Sequence, residues 1–274
     1  MVDAFVFNGI ADIAQDWRGA SVALRLLGGF ELRVASRLAL LPLTAERLVA
    51  FVALCEGPTP RRVAANSLWA HGTEGRAAGC LRSALWRIRL LPAPLIIAEC
   101  DRLSMAPNVC VDVSQARSFA AAIIENAVSF DSATVRRLLA TDVLPHWYDD
   151  WLLLQQEQFR ILRLHALEIA AMRFAERGRY LEGLDTALSA VAADPLRESA
   201  HRIVMRIHLM EGNYSEALRE FNTYAQVLRR DLGVEPSPHI EQLVKLARGR
   251  PATGSAYPLT SDCGESAQRS GEVR

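Results

Sequence analysis

The chain has 274 residues, half of them hydrophobic, and its 31 basic and 31 acidic side chains cancel to a net charge of zero. That length suits two ordinary domains with real cores, and the composition excludes wholesale disorder. Its longest apolar runs, such as LALLPL and PLIIA, are far too short to span a bilayer, so no membrane partner is expected.

Residues 1–17 hold three acids and no base, unlike the basic start of a signal peptide, and read as an N-terminal extension of a cytoplasmic protein. The balanced total hides an asymmetry. Residues 18–112 hold 12 arginines against 7 acids, whereas 113–248 hold 16 bases against 18 acids. Lys245 is the one lysine beside 30 arginines, a bias of the whole chain that carries no functional meaning. The five cysteines are odd in number and lack a CxxC pair, so reduced, mostly buried thiols are expected.

Residues 22–41, VALRLLGGFELRVASRLALL, are short apolar runs broken at Gly28-Gly29 and Ala35-Ser36, a pattern that predicts two or three antiparallel strands. Thr44 is a candidate N-cap for a first helix in which Leu48, Phe51, Val52 and Leu54 recur at helical spacing. EGPTP ends it. Pro60 opens a second helix, RRVAANSLWAHG, expected to bury Val63, Leu68 and Trp69. After the HGTEG turn, GRAAGCLRSALWRIR (75–89) predicts a third.

This third helix has two kinds of face. At about 100° per residue, Ala77, Ala78, Leu81, Ala84, Leu85 and Ile88 gather into a core-facing stripe. Opposite lie Arg76, Gly79, Ser83, Trp86 and Arg87, with Arg82 and Arg89 on a flank from which long side chains reach outward. No acid occurs between Gly75 and Arg89. For an isolated helix, a solvated amphipathic face would be the better explanation, so its neighbours must decide. Two short strands, LIIA and LSM, follow across an ECDR turn. Strands, three helices and a closing hairpin are the order of a winged helix, whose third helix enters the major groove.

Residues 113–248 are almost wholly helical in pattern, with breaks at Leu144-Pro145, Gly178, Asp194-Pro195, Gly212 and Gly233 to Pro238. GRYLEGL (178–184) and GNYSEAL (212–218) match at an offset of 34, which also relates Ala166 to Ala200 and Ile169 to Ile203. Thirty-four is the tetratricopeptide period, so Tyr180 and Tyr214 are expected at equivalent packed positions in paired helices that present a concave protein-binding surface. The expected fold class is mainly α: an N-terminal winged helix-turn-helix (18–112) followed by an all-α, tetratricopeptide-like domain (113–248). Residues 249–274, rich in Gly, Ser and Pro, read as a flexible tail. The fragment 18–112 is expected to fold alone.

Enzyme chemistry finds no support. There is no GxxxxGK[ST], HExxH, GxSxG or paired-cysteine zinc spacing, and Gly28-Gly29 lies between strands. His201 and His208 can share a helix face but lack a third ligand, and read as packing or surface residues. In PHWYDDW (145–151), adjacent Asp149 and Asp150 point apart, so aromatic packing is favoured over paired-carboxylate catalysis. No cofactor or metal is expected.

The pieces LRLLGGFEL, LTAERLVAFVAL, SLWAHG and above all LRSALWRIR, then LPHWYDDWLLLQQEQFRILRLHALE and YAQVLRRDLGVEPSP, resemble the SARP-type bacterial transcriptional activators. These antibiotic regulatory proteins join an OmpR-like winged helix to a bacterial transcriptional activation domain. The resemblance covers residues 22 to about 246. It implies a pathway-specific activator of secondary metabolism whose partners are double-stranded promoter DNA, a second copy of the chain, and RNA polymerase holoenzyme with its sigma factor. Larger members add an ATPase module, so a minimal member without ATP control is expected. No receiver domain is expected either, which leaves out phosphoaspartate switching. The family's wing often carries Gly-Tyr before its last strand, where this chain has ECDRLSM.

The expected DNA contacts are Arg76, Arg82, Ser83, Trp86 and Arg87, with Arg89 at the helix end. Arg61 and Arg62 start the second helix, where guanidinium and helix dipole can meet one phosphate, and Arg102 stands at the wing tip. Arginine suits these roles because its planar fork binds phosphate or guanine O6/N7 through two parallel bonds. Trp86 stays open between sugar-phosphate stacking, a contact with the transcription machinery, and closure of the interface with the second half. Two rival functions also stay open: a helical-repeat adaptor that has lost DNA binding, and a ligand-gated repressor.

Overall fold

The computed structural model describes residues 20–55 and 57–249; the extension 1–17 and all but the first residue of the tail lie outside them. Strand β1 (Val22–Arg25) is the hub of the N-terminal half. It pairs antiparallel with β2 (Glu31–Val34), which pairs with β3 (Arg37–Leu38). On its other side β1 runs parallel to β7 (Val109–Val111), with Leu24 opposite both Leu32 and Val111. A strand flanked on both sides needs apolar residues throughout, and Val22, Ala23 and Leu24 are fully buried. The chain bends between β2 and β3 at Ala35 and Ser36, both in left-handed backbone with φ of 49° and 64°.

Three helices follow, as expected: α1 (Leu43–Leu54), α2 (Arg61–Leu68) and α3 (Glu74–Arg89). Two details differ from the sequence reading. Thr44 does not cap α1. The helix starts after Pro42, whose carbonyl accepts from the amides of Ala45 and Glu46, so Thr44 lies within the first turn. Val63 is not buried but half exposed, because the inner face of the short α2 is Ala64, Ala65 and Leu68, small enough for α3 to approach closely. Trp69, half-buried, closes that helix.

The hairpin β5 (Ile96–Glu99) and β6 (Arg102–Met105) turns at Cys100-Asp101. It gains a third strand, β4 (Thr59–Pro60), paired with β6. Neither β4 nor β7 was foreseen. Of the four described cysteines, all free, none is buried, and Cys100 is exposed on the turn; a turn position leaves it no core to enter.

The helical half runs α4 (Asp112–Ile124), α5 (Ser132–Leu139), α6 (Asp150–Glu176), α7 (Tyr180–Ala193), α8 (Glu198–Glu211), α9 (Tyr214–Leu232) and α10 (Pro238–Arg248). The repeat is present as two helix pairs, α6–α7 and α8–α9. Gly178 and Gly212 occupy the same left-handed turn position, with φ of 73° and 88°. Ala166 and Ala200 are both fully buried, while Tyr180 and Tyr214 are both half-buried at the starts of α7 and α9. Gly183 allows α7 to touch α6: a Cβ there would lie 2.9 Å from the Ala171 carbonyl oxygen.

One apolar core runs through both halves, from Val22 to Ala200. The PHWYDDW stretch is the seam. Trp147 stacks on Phe30 at 6.1 Å and Trp151 meets Phe51 edge-on at 5.2 Å, while Asp149 pairs with Arg47. Tyr148 stands out in solvent. Two polar groups complete the seam. Asp112 accepts hydrogen bonds from the amides of Leu26, Leu27 and Val113, joining the end of β1 to the start of α4. Arg163, 2% exposed, donates to the carbonyls of Leu139 and Ala140 and pairs with Asp142 at 2.7 Å. The Asp142 carbonyl in turn accepts from the Gly28 amide.

Candidate nucleic-acid interface

The interface centres on α3. Thr73 caps it, its hydroxyl accepting from the Arg76 amide at 3.4 Å, and Glu74 adds a favourable charge in the first turn. Ala77, Leu81, Ala84, Leu85 and Ile88 are buried against the other two helices, which fixes the helix's rotation about its own axis. Everything the amphipathic pattern placed opposite is therefore turned outward. Arg76, Arg82, Ser83, Arg87 and Arg89 are exposed, and Trp86 is 60% exposed.

Four of these side chains converge. Arg76, Arg82, Ser83 and Arg87 line one open depression with Gly79, Cys80 and Thr44. Thr44 is the contact that the sequence reading missed; its place depends on how the start of α1 faces α3, which no local pattern reports. The Ser83 hydroxyl donates to the Gly79 carbonyl at 3.1 Å, so it turns lone pairs outward and suits a base-edge donor better than a phosphate. Trp86 and Arg89 lie outside this lining.

The other basic candidates sit apart from this depression. Arg62 reaches towards Glu74 at 4.0 Å and lines a separate depression with Asn66 and Trp69. Arg61 is half-buried, and its backbone amide donates to the Asp101 carbonyl at 2.7 Å, so that amide is already used. Arg102 donates to the Pro58 carbonyl, tying the wing to β4, and it stands opposite Glu99 in the hairpin. The wing tip is thus mixed in charge, with Glu99, Asp101 and Arg102 together.

Pairing sets the arginines of α3 apart from most arginines of the helical half. Arg76, Arg82, Arg87 and Arg89 have no ion-pair partner among the described residues, whereas Arg136, Arg160, Arg163, Arg179, Arg197, Arg219, Arg229 and Arg230 each meet a carboxylate. His201 follows the same logic. Its ring nitrogens lie 2.6 Å from Glu220 and 3.0 Å from the Pro195 carbonyl, and it packs on Tyr224, as a buried structural histidine would. Among the described residues no cluster of His, Cys, Asp and Glu could hold a metal ion, and no helix is long and apolar enough to cross a membrane.

Residues 120–246 match the model of the bacterial transcriptional activator domain. Over 209 residues the chain is 23% identical to the regulatory protein AfsR of Streptomyces coelicolor, an alignment that takes in 72% of this chain. These matches make the chain similar to SARP-type transcriptional regulators, most of all over its helical half. The chain spans only about a fifth of AfsR (21%). Its fold is shared with EmbR of Mycobacterium tuberculosis, solved in complex with a low affinity phosphopeptide. The TM-score is 0.60 at 16% identity, over 85% of this chain and 66% of that one. The activator-domain match begins inside α4, so the basic face of α3 lies wholly in the part of the chain that precedes it.

Proposed function

We propose that the chain is a cytoplasmic, sequence-specific DNA-binding activator of the SARP type, and that α3 enters the major groove of promoter repeats. The observation that carries this is the outward face of α3. It holds four arginines without an acidic partner, on a helix whose rotation is fixed by five buried residues. Unpaired guanidinium groups on a rigid helix are poised for phosphate and base edges without first breaking internal ion pairs. Arg76, Arg82, Ser83 and Arg87 are the core of the contact. Arg62 and Arg89 meet the flanking backbone, and Arg61 and Arg102 act mainly by holding the wing against the start of α2. Trp86 stacks on sugar-phosphate or touches transcription machinery; closure of the seam between the halves falls to Trp147 and Trp151.

In this reading two copies bind direct repeats, and the helical half contacts RNA polymerase holoenzyme with its sigma factor to activate a pathway of secondary metabolism. Neither metal nor cofactor takes part. Genome-wide mapping of bound sites tests the reading, followed by mobility shifts on the recovered motif. A variant with Arg76, Arg82 and Arg87 all changed to alanine should lose both the motif and most affinity. Retention of the motif by that variant would reject α3 as the reading helix.

A further inference from the structure

A groove in the helical half takes no part in DNA contact. Helices α6, α8 and α10 lie side by side on the inner face of the repeats, with α8 packed against both neighbours. Between them runs a groove lined by the apolar Met172, Leu209, Met210, Leu243 and Leu246 and by the basic Arg202, Arg206 and His239. Met210 is 42% and Leu246 64% exposed, so part of the lining is apolar surface that nothing among the described residues covers. No acid lines it.

The groove's arginines are poorly satisfied within the chain. Arg206 is exposed and has no ion-pair partner among the described residues. Arg202 comes only to within 3.9 Å of Glu198, a carboxylate already held by the Ser237 amide and hydroxyl, and its Nε is buried without a hydrogen-bond partner. This happens in a half that carries more acids than bases and pairs most of its other arginines. Groups that chiefly donate, beside methionine and leucine surface, complement a ligand with carboxylates beside apolar side chains. A nucleic-acid backbone would match the cations but leave the apolar lining unused.

We propose that this groove holds a short acidic segment of another protein, with carboxylates on Arg202 and Arg206 and apolar anchors on Met172, Met210 and Leu246. The proposal does not depend on the DNA reading, and promoter binding serves as its control. The test displays random peptides about two helical turns or longer against the full chain, with the R202E/R206E variant as the counter-target. Recovered peptides should carry several Asp or Glu beside Leu, Met or Phe. By fluorescence anisotropy they should bind the double variant at least about tenfold more weakly, and Met210→Ala should also weaken them. Arg206→Ala, at an exposed site without a partner, removes one cation without threatening the fold and should give a smaller loss in the same direction. Failure to recover peptides, recovery of neutral or basic ones, or equal binding by wild type and both arginine variants would overturn the proposal. So would self-association of the free chain in sedimentation that R202E/R206E abolishes, since the occupant would then be a second copy.

Discussion

Arg82 and Arg87 are both exposed on α3, and they separate two ways in which an arginine can contribute to binding. If Arg87 forks onto a guanine edge, Arg87→Ala should cost about 1–3 kcal/mol and relax preference at one base pair. If Arg82 holds a phosphate, Arg82→Ala should weaken binding evenly across sequences and shrink the log–log salt slope by roughly 0.9. Salt titrations on the cognate motif and a one-base variant distinguish the two; unchanged affinity in both mutants would count against α3. Asp112 makes a different prediction, about stability. Burial pushes its carboxyl up to about 6 from an ordinary 3.8, against the lowering effect of the amides of Leu26, Leu27 and Val113 and the charge of Arg25. A folded value above the unfolded one means that the fold binds the extra proton. The contribution is therefore most favourable below about pH 4 and is lost as pH rises through about 6. Between pH 5 and 7 this one group should cost about 1 kcal/mol of unfolding free energy. Asp112→Asn should remove that part of the pH dependence, at a separate cost because its amide group cannot accept from every amide the carboxylate now serves. Urea unfolding of both proteins at the two pH values measures it, and identical slopes would show that Asp112 does not titrate there. No sequence pattern announces this residue: an aspartate before a helix reads as a cap, and only the return of β1 alongside β7 brings the Leu26 and Leu27 amides to it.

Helices were the legible elements, because their periodicity is local. The stripe from Ala77 to Ile88 and the 34-residue echo of Gly178 and Tyr180 in Gly212 and Tyr214 needed nothing beyond spacing, and both are present. β4 and β7 were illegible for the opposite reason. Thr59–Pro60 has no strand pattern of its own and exists because β6 lies beside it; Val109–Val111 is defined by a parallel partner some 85 residues earlier in the chain. Nothing in the local sequence marks Arg163 for burial; α5 and its following loop place two carbonyls and Asp142 around it. Close approach between helices was hidden too. Gly183 would be replaced by alanine on propensity alone, for a gain of roughly 0.5–1 kcal/mol. Its added Cβ, however, would sit 2.9 Å from a backbone oxygen and 3.4 Å from both Ala175 N and the Ile207 Cδ1. Backbone cannot rotate away, and overpacking of this kind costs about 1–3 kcal/mol, so Gly183→Ala should be net destabilising. Gly75, in the first turn of α3 with open space around it, is the control: Gly75→Ala should stabilise modestly. Thermal unfolding of the pair checks the argument, and a stabilised Gly183→Ala would mean that α6 and α7 have more slack than their geometry allows.

At the scale of the whole molecule, the change in composition near residue 113 marks where strands give way to helices, but the apolar core continues across it. The contacts that cross it are of every kind: the Phe30–Trp147 and Phe51–Trp151 ring pairs, the Arg47–Asp149 ion pair, and the bridge between Leu27 and Val143. Leu144, with φ of 42° immediately before Pro145, shows how tightly the connecting backbone is held. Its amide donates to the Leu26 carbonyl, and its own carbonyl accepts from the Trp147 amide and from Gln156. A left-handed leucine costs free energy of order 1–3 kcal/mol and persists only where its surroundings over-determine it. Two domains joined by so many groups should not unfold separately. Tryptophan fluorescence includes a report on the seam, where Trp147 and Trp151 are two of the five tryptophans, while far-ultraviolet circular dichroism reports on all the helices. Denaturation followed by the two probes should therefore give one coincident transition. Trp151→Ala should shift both together, by about 3–5 kcal/mol if the site cannot collapse. The same contacts bear on the expectation that 18–112 folds alone. That fragment would bare Phe30 and Phe51 and leave the Leu26 and Leu27 carbonyl and amide groups without Val143, Leu144 and the ordered start of α4. It should bind a hydrophobic dye and lack the near-ultraviolet dichroism of fixed aromatic packing. A cleanly folded 18–112 with two resolved transitions in the full chain would reverse this. The winged helix would then be an independent unit, and the helical half could be removed to ask directly whether polymerase contact resides there.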